Sequence, residues 1–207
     1  MINNSKYKQV LSNYLPEEFI PMVLELLGKY PVQFKIVKPR KTKLGDFRSI
    51  GKNGKPQITV NGDLNPYAFL ITTIHEFAHL FVFKEYGRNV APHGKEWKAT
   101  FSKLLTPAIN SGWLPDDITA SLNRSIENIK ASSCTDIQLQ RVLLTYDEQK
   151  DNLVTLESLP KNSIFALNNK VFKRLELRRT RFMCEDIRTK RRYLVNALAQ
   201  VKEIEHE

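Results

Sequence analysis

Residues 65–87 constrain this chain more than any other stretch. Asn65-Pro66 reads as a helix start, with Asn as the cap and Pro at the first helical position. The helix expected from there runs to about Tyr86, and Gly87 is a natural C-terminal stop. Phe69, Leu70, Ile71, Ile74, Phe77, Leu80, Phe81 and Val82 cover most of its circumference. A helix apolar nearly all round is buried at the centre of its domain. Within it sit His75, Glu76 and His79, polar groups that are costly to bury unless something pairs with them.

These residues spell H-E-x-x-H. Residues four apart on a helix lie about 40° apart around its axis, so both imidazoles project from one face and can share a zinc ion at ~2.0–2.1 Å. Glu76, beside the first histidine, is placed for a metal-bound water rather than for the metal. That suits a general base that takes the water's proton and passes it to a leaving group. A catalytic zinc needs three protein ligands and one open position. The metzincin spacing would require Gly at 82 and His at 85; the chain has Val82 and Glu85, which rules that class out. Glu96 is one candidate for the third ligand. His93 is the better one, because Gly87 lets the chain reverse and can bring residue 93 back over the helix face.

The flanking sequence suggests an α+β domain. Residues 5–29 read as helical with a break at Leu15-Pro16, and Pro21 sits near the start of the second segment. Residues 32–38 and 56–60 alternate like strands, with an Asn53-Gly54 turn signal between them; a small antiparallel sheet before the main helix is expected. Further helices are expected over 94–106, ended by Pro107, and over 116–130, with a loop at 131–136. From about residue 152 short runs rich in β-formers appear (LVTLESL, SIFALN, KVFKRLEL, RFMCED, RYLVNAL). The expected organisation is a mainly helical domain over 1–135, then a linker and small β-rich module over 136–207.

Three stretches resemble the SprT-like metalloproteases, the group that includes the Spartan DNA–protein crosslink proteases: KTKLGDFR (41–48), ITVNGDLNPYAFLITTIHEFAH (58–79) and HGKEW (93–97). H-E-x-x-H followed after a short connection by H-G-x-x-aromatic is that family's signature order, and the likeness spans roughly residues 10–110. It implies a zincin-like metalloprotease domain with one zinc ion, His75, His79 and His93 as ligands, Glu76 as the catalytic glutamate, and Trp97 packed beside the site. It also implies a sheet edge that holds an extended substrate. Many SprT-like proteins end in a zinc ribbon with paired cysteines. Here Cys134 and Cys184 stand 50 positions apart in no C-x-x-C pair, so neither a ribbon nor a disulfide framework is expected.

Charge bears on partners. The net charge of +10 is bunched. Residues 35–48 hold six basic groups against Asp46, and residues 170–192 hold ten against three acids. Such runs attract polyanions, DNA among them, although strands with alternating charged and core faces explain the second run equally well. No apolar run approaches the ~20 residues of a membrane span, and the start, MINNSKYKQV, lacks a signal-peptide layout. A cytoplasmic protein without membrane contact is therefore expected. The leading function is a zinc endopeptidase acting on protein or peptide, with DNA-associated proteins among the expected substrates. The alternative is a non-proteolytic nucleic-acid-binding or regulatory protein with a retained zinc site. Glu76 favours the first, since a structural site needs no carboxylate there and is more often closed by a fourth ligand. Tyr67, Tyr86 and Arg48 are the candidates for an oxyanion-stabilising group.

Overall fold

A computed structural model describes residues 4–40, 42–51, 54–127, 136–148 and 152–204. It is a mixed α+β structure in two compact units, Met1–Asp147 and Glu148–Glu207.

The first unit opens with helix α1 (Asn4–Leu11), a 3-10 turn (Glu17–Phe19) and helix α2 (Ile20–Lys29). Pro21 falls in the first turn of α2, where its missing N–H would have no helical partner anyway. Strands β1 (Gln33–Val37), β2 (Gly45–Arg48) and β3 (Gln57–Asn61) follow. They form one sheet in the order β1-β3-β2. The sheet is mixed, not antiparallel as expected. β2 pairs antiparallel with β3, Gly45 opposite Val60 and Arg48 opposite Gln57. β1 runs parallel to β3, Gln33 opposite Gln57 and Val37 opposite Asn61. The physical reason lies in β3, which is buried along its whole length and therefore takes the central place. The chain leaves β1, passes over that place to lay down β2 at the edge, and returns through a turn closed by Gly51 N–H to Lys55 C=O at 2.7 Å.

One face of β3, Ile58 and Val60, faces the core. The other, Gln57, Thr59 and Asn61, is covered by two basic side chains. Lys35 Nζ donates to Gln57 Oε1 at 3.2 Å. Arg40 donates from Nε to Asn61 Oδ1 at 2.8 Å and from Nη1 to Thr59 Oγ1 at 3.0 Å. Part of the basic run 35–48 thus satisfies buried polar groups of the sheet.

Helix α3 (Pro66–Tyr86) is the centre of this unit. Asn65 Oδ1 accepts the Ala68 N–H at 2.9 Å, and Gly87, at φ 66°, closes the other end with its N–H on Phe83 C=O. Phe69, Leu70, Ile74, Phe77 and Leu80 have no exposed surface. Helices α4 (Lys95–Asn110), α5 (Asp116–Glu127) and α6 (Ile137–Leu144) complete the unit. Pro107 lies inside α4 rather than ending it. The helix continues because Ala108 and Ile109 are buried in the core, and that burial outweighs the lost hydrogen bond. Thr106 Oγ1 meanwhile donates to Ser102 C=O at 2.8 Å. α6 lies where only a linker was expected. Asp136 caps it, accepting from Gln138 N–H at 2.9 Å. The expected loop at 131–136 falls almost wholly outside the described residues. No helix among the described residues is long and apolar enough to cross a membrane.

The second unit is one six-stranded sheet of β4 (Val154–Thr155), β5 (Ile164–Leu167), β6 (Lys170–Arg178), β7 (Arg181–Asp186), β8 (Arg192–Asn196) and β9 (Gln200–Ile204). The order is β4-β9-β5-β6-β7-β8, with every pair antiparallel. Leu156, Phe165, Phe172, Phe182, Cys184 and Val201 are buried in it. Several of its basic residues pack against neighbours: the Arg174 guanidinium sits 3.7 Å from the centre of the Phe182 ring. Arg178 pairs with Glu176 at 3.3 Å and Arg192 with Glu185 at 3.5 Å.

Candidate metal centre

Two elements and one loop build the site. His75 and His79 project from one face of α3, four residues apart. His93 lies in the short connection between Gly87 and α4, and the chain reversal there returns its ring to that face. The three Nε2 atoms form a triangle: 3.1 Å from His79 to His75, 3.1 Å from His79 to His93 and 3.4 Å from His93 to His75. Ligands bound tetrahedrally at ~2.0–2.1 Å would stand about 3.3 Å apart. The triangle has that size, and the three could hold a metal ion.

Protonation agrees with the geometry. Burial, then the charges of His79 and His93, lowers His75 to about 3. Burial and His93 lower His79 to about 4, and burial and Lys98 lower His93. The imidazoles are therefore neutral at pH 7, with three ring nitrogens converging on one point, an arrangement that a cation suits.

Trp97 backs the cluster. It has no exposed surface, and its ring lies 4.6, 5.2 and 4.8 Å from the rings of His75, His79 and His93. It stacks in turn on Phe101 at 4.9 Å. His75 is 8% exposed while His93 is exposed, so the cluster is walled on the helix side and open on the other.

Glu76 points to β2. Burial raises its carboxyl to about 8; the charge of Asp46 adds to this, while Arg40, Lys43 and the Phe47 backbone N–H oppose it. That N–H donates to the Glu76 carboxylate. Gly45 makes room: a Cβ there would stand 2.5 Å from Glu76 Oε1. Desolvation would raise Asp46, but hydrogen bonds from Lys43 at 2.7 Å and Arg48 at 2.8 Å prevail and hold it below the usual carboxylate range.

Gly45, Asp46, Phe47, His75, Glu76, His79 and His93 line one cleft of about 610 Å³. Glu96 is not in the histidine group and pairs with Lys95 at 3.9 Å. Tyr67 packs edge-on against Tyr146 and Arg48 binds Asp46. Neither of these two, nor Tyr86, lines the cleft. Gly45 stands in the stretch KTKLGDFR, but nothing in the sequence alone assigned it a role at the site. The available signal was a glycine beside a strand, which often marks a close approach of backbone to another group.

The fold and the cluster define an α+β domain built round a histidine site on an H-E-x-x-H helix. Residues 38–112 match the SprT-like family model. This region is SprT-like, and the curated proteins it resembles carry the same name. Protein SprT of Enterobacter sp. (strain 638) is 35% identical over 101 residues, 47% of this chain and 59% of that protein. Protein SprT of Vibrio parahaemolyticus serotype O3:K6 (strain RIMD 2210633) is 46% identical over 48 residues, 23% and 28% of the two chains. Protein SprT of Escherichia coli (strain K12 / DH10B) is 52% identical over 42 residues, 20% and 25%. The chain thus spans less than two thirds of these relatives' length. No solved structure matches it.

Proposed function

We propose that this chain is a zinc-dependent metalloendopeptidase of zincin-like design. The observation that carries the reading is the pairing of a zinc-sized Nε2 triangle, 3.1–3.4 Å on its sides, with a buried glutamate in the same cleft. A structural site has no use for that carboxylate. His75, His79 and His93 would hold the zinc, which when bound would supply Lewis-acid activation of water and of a substrate carbonyl at neutral pH. Glu76 accepts the proton of the attacking water and delivers it to the leaving amine. The Phe47 N–H fixes the carboxylate, and a nearby dication favours its charged form over the protonated one. β2 is an edge strand of its sheet and borders the cleft, as backbone pairing with an extended peptide requires.

The test compares the wild-type chain with Glu76→Gln for bound metal and for cleavage of an unfolded protein such as casein. Equal zinc in both, with hydrolysis only in the wild type, is the expected result. Absence of metal from the wild type, or equal cleavage by the variant, would refute the mechanism.

DNA-associated proteins are the proposed substrate setting. The run 170–192 is the better candidate for the polyanion contact. In 35–48, Lys35, Arg40, Lys43 and Arg48 are already engaged within the fold.

A further inference from the structure

The cleft continues past the histidines. Along α3 and at its cap, His79, Val82, Phe83 and then Gly87 follow one another, and all line it. From residue 79 to residue 87 the helix rises roughly 12 Å, room for about three extended residues at ~3.3 Å each. Opposite runs β2, and the connection to α4 supplies Val90, Ala91 and Pro92. Phe47 joins the two ends: its ring stacks on His79 at 6.5 Å and leans on Phe83 at 5.9 Å.

This end is apolar except for one pair. Arg88 donates from Nη2 to Ser49 Oγ at 3.2 Å, and both residues line the cleft. Among the described lining residues Arg88 is the only Lys or Arg. A charged side chain entering here would lose water against Val82, Phe83, Val90 and Pro92, a cost that an apolar one avoids. We infer that this end of the cleft is a subsite for a large apolar side chain, such as Leu, Phe or Met, of an extended peptide whose backbone lies beside β2. The inference deepens the peptidase reading and rests on it. The two fail separately, because binding and cleavage are read apart.

The probe is a set of eight-residue peptides of Ala and Gly with Leu, Phe, Asp or Lys placed at each position in turn. Binding to the zinc-loaded Glu76→Gln chain is followed by calorimetry. In one register Leu and Phe should bind at least ~10-fold tighter than Ala, the usual size of a hydrophobic-pocket preference. Asp and Lys should bind no better than Ala. Val90→Asp should abolish the preference and Val90→Ala should weaken it, both with zinc content unchanged. Equal binding of Leu and Ala in every register, no binding at all, or a preference for Asp, which would assign the subsite to Arg88, overturns the inference. Cleavage by the wild-type chain is scored in parallel. A chain that binds with the apolar preference but cuts nothing refutes the peptidase reading alone. Cleavage with flat binding refutes the subsite alone.

Discussion

Gly45 lies so close to Glu76 that a Cβ on it would stand 2.5 Å from Glu76 Oε1, 2.7 Å from Cγ and 2.8 Å from Thr72 Cγ2. All three atoms belong to α3, whose backbone is locked in the core. Gly45→Ala must therefore displace the Glu76 carboxylate or β2. Zinc content should stay at the wild-type level, because no histidine is touched. Hydrolysis should fall by about 10²-fold, the usual effect of a 1 Å misplacement of a reacting group. Metal analysis together with kcat decides the matter; unchanged kcat would show that Glu76 tolerates the shift.

Zinc binding should release protons at pH 7, and Glu76 is one source. Its carboxyl, raised to about 8, is mostly protonated before the cation arrives and ionised after. His75 and His79, lowered to about 3 and about 4, have none to give. Calorimetry in buffers of different ionisation enthalpy measures the count. At pH 7 it should be smaller in Glu76→Gln than in the wild type.

The same groups set opposite pH limits on the stability of the metal-free chain. Below the ordinary histidine value of 6.5 the unfolded chain takes up protons that folded His75 and His79 refuse, so stability falls as pH falls toward about 4 and about 3. Glu76 works the other way. Its contribution is complete below 4.5 and is lost as pH rises to about 8. Two histidines outweigh one glutamate between 4.5 and 6.5; above that the glutamate acts alone. Urea midpoints of the chelator-treated chain should peak near pH 6.5, and Glu76→Gln should flatten the alkaline side. A wild-type midpoint rising steadily from 6.5 to 8.5 would contradict this account.

Trp97 supports three imidazoles at once. Trp97→Ala should cost about 3–5 kcal/mol of stability, the range for emptying a large aromatic site in a core. It should also weaken zinc binding, because the rings lose the surface that orients them. Trp97→Phe should recover much of both. Denaturation with and without chelator separates the two effects.

Arg178, Arg179 and Arg181 sit at the hairpin between β6 and β7, all exposed. If the run 170–192 contacts DNA, reversing these three to Glu should weaken binding and reduce its salt dependence, with the fold unchanged by circular dichroism. Wild-type binding indifferent to salt would remove the polyanion reading.

How far the chain could be read follows from how local each feature is. His75, Glu76 and His79 share one helix, whose cap, stop and apolar surface are all written within residues 65–87. His93 needed only one turn of chain more. Gly45 reaches Glu76 from a strand some thirty residues earlier, through a tertiary approach that no periodicity announces. The parallel pairing of β1 with β3 stayed hidden for a similar reason, since alternation marks a strand but not its neighbours. Pro107 misled because propensity speaks for an isolated helix, whereas buried Ala108 and Ile109 speak for this one. The basic run 35–48 looked like an interface because charge patterning does not show which polar groups lie beneath it.

His93 stands apart from its two companions in one respect: it is held by a connection, not by a helix. A cation shared by the three would work as a clasp, tying residue 93 to residue 79 and fastening everything between them. Val90 and Pro92 lie on the fastened stretch. The bound metal would then help to hold the substrate's seat in shape, and a chelator would loosen the seat as it removed the ion.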